Sequence, residues 1–131
     1  MSFIINISNK DLSEYVAQQL NNFYPSRELI SAKQVFEIQK SALKRLDYCF
    51  SKINMKYYFD GKNTLFNYRN GDQYSMYLYI MSYIANKDFE DIVLAEKLYL
   101  LNKALHGIDA FFEVKLPQIF IFIHPVGTVL G

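Results

Sequence analysis

Asp72-Gln73-Tyr74-Ser75-Met76-Tyr77-Leu78-Tyr79-Ile80-Met81-Ser82-Tyr83-Ile84-Ala85-Asn86 is the stretch whose reading decides the fold. Tyr74, Tyr77, Leu78, Met81 and Ile84 return at intervals of three to four residues, which is the period of a helix with an apolar face. Asp72 stands where a capping residue would accept the first free N–H groups. Tyr74, Tyr77, Tyr79 and Tyr83 read most simply as core and subunit interface, because a tyrosine offers a large apolar ring with a polar tip.

Working outward, Ile92, Leu94, Ala95, Leu98, Leu101 and Leu105 continue the helical period from about Glu90, and Gly107 ends it as glycine does past a helix C-terminus. His106, in that last turn, complements the helix dipole. Upstream, Ser8-Asn9-Lys10-Asp11 resembles a capping box, with Leu12, Tyr15, Val16 and Leu20 behind it, so a first helix is predicted from about Asn9 to Asn22. Pro25 breaks that helix, Ser26 can cap the next, and Leu29 through Phe50 carry a second, long helix to about Ile53. Asp60-Gly61 between short aromatic runs signals a turn in a small hairpin or irregular loop. Ile119-Phe120-Ile121-Phe122-Ile123, an apolar run bounded by Pro117 and Pro125, reads as a buried or interface strand. The expected class is therefore mainly α, with four helices and a short C-terminal strand and turn.

Composition excludes several functions. The chain has 131 residues, 51% of them hydrophobic, enough for a core without disulfides or metal staples, and no low-complexity linker marks an internal boundary. Lys and Arg number 14 against 13 Asp and Glu, so no strong field would draw in nucleic acid or an acidic membrane. Cys49 is alone and cannot close an internal disulfide. With no signal peptide and no run long enough to span a bilayer, a soluble cytoplasmic protein is expected. Zinc-ligand pairs, a phosphate-cradling glycine loop and a cysteine-histidine nucleophile pair are absent from the sequence, so no metal is expected.

The segments Tyr99 to Asp109, Phe112 to Phe120, and His124-Pro125-Val126-Gly127-Thr128-Val129-Leu130-Gly131 resemble serine O-acetyltransferases. The resemblance implies a multi-helix N-terminal domain over 1–108 and, over 109–131, the beginning of a left-handed β-helix of hexapeptide repeats, truncated here. It implies transfer of acetyl from acetyl-CoA to the hydroxyl of L-serine, in cysteine biosynthesis, by a homo-oligomer. The family motif His-x-x-Gly-x-Val-x-Gly falls on His124, Gly127, Val129 and Gly131, making His124 the implied general base. By the family's spacing the carboxylate that orients its ring falls on Asp109. Asn67 and Asp72 are the candidate substrate-binding residues. The family often has Asp before the histidine and Pro after the upstream Asn, where this chain has Ile123 and Tyr68. A sugar hydroxyl is accordingly a rival acceptor. The acetyl-CoA-binding coils are expected to lie outside these residues, which leaves little or no activity to the chain alone. From a different class, a non-catalytic oligomerisation module fits the aromatic helices and the Ile119–Ile123 run.

Overall fold

Residues 2–131 are described by the computed structural model. The chain runs β1 (Phe3–Ile5), α1 (Asn9–Phe23), α2 (Ala32–Ser51), β2 (Thr64–Phe66), α3 (Gly71–Lys87), α4 (Ile92–His106), β3 (Asp109–Ala110) and β4 (Val129–Leu130). Among the described residues the protein is mainly helical, with four helices and few short strands. Among the described residues no helix is long and apolar enough to cross a membrane.

α3 is the centre. Every residue from Gln73 to Ser82 is buried, so the helix is enclosed on all sides rather than along one stripe. Its phenol tips find partners in the surrounding layers: Tyr74 donates to Gln19 of α1 at 2.5 Å, Tyr77 to Gln39 of α2 at 2.6 Å, and Tyr79 to the Val114 carbonyl. A phenylalanine would bury similar area and leave those acceptors unmet. The core reading of Tyr74, Tyr77 and Tyr79 is thus borne out, while Tyr83 is half-buried.

Local signals set the helix ends, with two corrections. Ser8 caps α1 by accepting the Asp11 N–H at 3.1 Å. The cap of α2 is Ser31, five residues after Ser26, because Ser31 and Gln34 form a reciprocal capping box that Ser26 lacks. Ser26 instead bonds the Glu28 carbonyl, and Asn21 clamps the connecting loop by bonding both backbone groups of Ile30. Asn70, not Asp72, caps α3 by accepting the Gln73 N–H at 3.2 Å. Asp72 lies inside the first turn, where its charge complements the helix N-terminus.

The strands depart further from expectation. β1 pairs in parallel with β2, Phe3 opposite Thr64, a contact 61 residues long that no local pattern announces. The Asp60-Gly61 turn is present, with the Asp60 carboxylate accepting the N–H groups of Lys62 and Asn63, but the hairpin shrinks to one bridge between Phe59 and Thr64. Ile119 to Ile123 is not a strand. Its Phe120 and Phe122 rings pack against Tyr79, and its backbone meets the Cys49 thiol, which donates to the Phe120 carbonyl at 3.1 Å. Ile119 and Ile123 point outward, so the run is held by rings rather than by a ladder.

β3 and β4 do pair, again in parallel, Asp109 opposite Val129 and Ala110 opposite Leu130. Ile108, Ala110, Phe112 and Phe122 belong to the same core as the helices, so residues after 108 are packed with the helices rather than apart from them. Gly107 makes this return possible: at φ 64° it turns α4 into β3, and its carbonyl accepts the Gly127 N–H at 2.8 Å. A Cβ there would also stand 3.3 Å from Val126 Cγ1. Gly107→Ala is expected to cost about 1–2 kcal/mol in urea unfolding. No measurable loss would mean the turn relaxes freely.

Candidate active site

Three chain segments converge on one cleft. The first turn of α3 brings Gly71 and Asp72, the last turn of α4 brings Leu105, His106 and Gly107, and the loop before β4 brings His124, Pro125 and Val126. The cleft encloses about 400 Å³. The β3–β4 ladder and the Gly107–Gly127 bond pin the third segment against the second.

His124 is exposed and adopts φ 47°, a left-handed conformation that costs a side-chain-bearing residue roughly 1–2 kcal/mol. Its N–H donates to Asp72 Oδ1 at 3.2 Å, which ties the loop to α3. Strain kept at one residue beside a cleft is a pointer to function.

His106 is the second imidazole. Its Nδ1 lies 2.8 Å from Asn102 Oδ1, while Asn102 Nδ2 donates to the Ser75 carbonyl at 3.0 Å. The amide is therefore fixed with its oxygen toward the ring, and Nδ1 carries the hydrogen. Burial lowers the His106 pKa, and the nearby Asp72 charge partly opposes that. The ring stands edge-on to Tyr74, and a Cβ built on Gly71 would lie 3.6 Å from its Cδ2 and 4.0 Å from its Nε2.

The structure separates the residues that the sequence put together. Asp109 is not hydrogen-bonded to His124: its carboxylate accepts from the Tyr99 hydroxyl and pairs with Lys103 at 3.3 Å. Those two donors sit on the last turns of α4, immediately before Asp109, and capture it locally. The Tyr99 bond is the main cause of a lowered Asp109 pKa and of a Tyr99 pKa raised to about 12. Asn67 lies in another cleft, with Ile4, Asn6, Tyr57 and Gln73. Its Oδ1 accepts from Asn6 at 2.7 Å and from the Arg69 N–H at 2.9 Å, so that oxygen joins β1 to β2. Of the four candidates, only His124 and Asp72 meet.

His106 with Asn102 was not among the residues singled out for chemistry. Their spacing was the available signal, since residues four apart share a helix face. Among the described residues, no group of three or more His, Cys, Asp or Glu is placed to hold a metal ion. Among the described residues, the fold and cleft define a mainly helical protein with two short parallel strand pairs and a two-histidine cleft between the start of α3, the end of α4 and the loop before β4. No protein-family model, curated protein or solved structure matches this chain.

Proposed function

We propose that the chain is the helical portion of an acetyl-CoA-dependent O-acetyltransferase of the serine acetyltransferase type, with His124 as general base. The observation that carries this reading is His124 itself: the histidine of the motif is held in a left-handed backbone conformation, which among the described non-glycine residues only Glu90 shares, and it is tied to Asp72 on the rim of a cleft. The parallel pairing of β3 with β4 supports it too. Their registers are twenty residues apart (129 − 109), close to the length of one three-sided coil of hexapeptide repeats.

In the proposed reaction a neutral His124 takes the proton of the acceptor hydroxyl as its oxygen attacks the thioester carbonyl. A C–O bond forms, the C–S bond breaks, and the proton passes to the departing thiolate. No side chain becomes acetylated. Asp72 holds the histidine loop and lines the acceptor cleft; Asp109, spent on Tyr99 and Lys103, has no part in orienting the ring in this arrangement.

A protein that carries this chain together with acetyl-CoA-binding coils is expected to release free thiol from acetyl-CoA in the presence of L-serine. Release with a sugar acceptor in place of serine would move the acceptor class and keep the chemistry. Release with neither overturns the enzyme reading. A non-catalytic assembly module is then the reading that remains, and the exposed Ile123, Val126 and Val129 side chains are the observation that favours it.

A further inference from the structure

We propose that His106, locked by Asn102 as the Nδ1–H tautomer, is a ligand-binding residue whose Nε2 accepts a hydrogen bond from the ammonium group of the acceptor substrate. The proposal rests on the reading that this cleft takes the hydroxyl-bearing substrate. Asn102 is buried and its amide is committed in both directions, donating to Ser75 and accepting from His106. A neutral imidazole with hydrogen on Nδ1 has its lone pair on Nε2, and it cannot exchange the two without breaking the Asn102 bond. Among the described residues Nε2 has no hydrogen-bond partner, and it lies beside Gly71 in the first turn of α3, where both residues line the cleft.

The other groups there select the ligand's chemistry. Asp72 uses Oδ1 on the His124 N–H, and among the described residues its Oδ2 has no hydrogen-bond partner. Among the described residues, no Lys or Arg lines the cleft. An unprotonated ring nitrogen and a carboxylate oxygen make an acceptor pair beside a negative charge, which suits a small cationic donor with more than one N–H, as a primary ammonium provides. Burial that keeps His106 neutral keeps the acceptor available.

The chain has two histidines, so nitrogen NMR on the labelled protein resolves them with one substitution for assignment. The expected spectrum shows His106 protonated at Nδ1 and bare at Nε2, and titration with L-serine or ethanolamine shifts the Nε2 signal. His106→Phe keeps a planar ring and should weaken L-serine binding about tenfold, while 3-hydroxypropionate, which lacks the ammonium group, binds as before. An Nε2–H tautomer in the unmodified protein overturns the proposal without any variant. So does an equal loss for both ligands, or a His106 signal that neither L-serine nor ethanolamine moves, whatever the acetyl-transfer assay reports. If ethanolamine shifts His106 while L-serine does not, the serine reading fails and this one stands.

Discussion

Tyr77→Ala is expected to destabilise the fold by about 3–5 kcal/mol, the range for removing a large buried aromatic side chain. Tyr77 is fully buried on α3, stacked on Tyr74 at 5.5 Å and tilted against Phe66 at 5.4 Å, so truncation opens a cavity where α2, β2 and α3 meet. The hydroxyl adds a separable part. It donates to Gln39 Oε1 at 2.6 Å, and Gln39 Nε2 donates in turn to the Asn9 carbonyl at the start of α1 at 2.8 Å. Burial holds the phenol pKa well above its ordinary value, so the donor persists across the usable pH range. Tyr77→Phe keeps the ring and strands a buried amide oxygen, for an expected loss of about 1–3 kcal/mol. Adding Gln39→Leu to Tyr77→Phe should recover part of that loss, since the unmet acceptor is then gone. Urea unfolding of the three variants measures both parts. A neutral Tyr77→Phe would show that the hydroxyl contributes nothing and that only ring packing holds the layer.

Where the chain signals locally, the sequence was sufficient. Ser8 and Gly107 bound their helices as expected, and the Asp60-Gly61 turn formed because one side chain and one glycine complete it. Where two residues of similar chemistry competed, neighbours decided. Asn70 outcompeted Asp72 for the cap of α3 by standing three residues before the buried Gln73, and Ser31 outcompeted Ser26 by having Gln34 three residues on. Long-range choices were not legible. Nothing in Phe3-Ile4-Ile5 foretells a parallel partner at Thr64, and nothing in the spacing from Asp109 to His124 reveals that Tyr99 and Lys103 reach the carboxylate instead. The Ile119–Ile123 run misled for the same reason. An apolar run states that something is buried, and only its partners decide whether rings or a ladder hold it.

His124→Gly, made in the acetyltransferase proposed above, carries the other large expected effect, and it distinguishes a catalytic imidazole from a structural one by sign. At φ 47° any side chain strains the backbone, so glycine relieves a penalty while adding unfolded-state freedom. Stability should stay unchanged or rise by up to about 1 kcal/mol. The bond from the residue's N–H to Asp72 needs no side chain and should survive. If His124 is the proposed general base, its removal should instead lower kcat about 10²- to 10⁴-fold, with a much smaller change in KM for the proposed serine acceptor. A histidine that merely packs would give the reverse, a loss of stability with activity falling in proportion. Asp109→Asn completes the comparison. Its carboxylate joins the end of α4 to β3 through Tyr99 and Lys103, so the substitution should weaken the fold and leave kcat within about tenfold of the parent. A kcat loss as deep as that of His124→Gly would mean that the working enzyme rearranges to pair Asp109 with His124, and Asp72 would then lose its place as the carboxylate that holds the histidine loop.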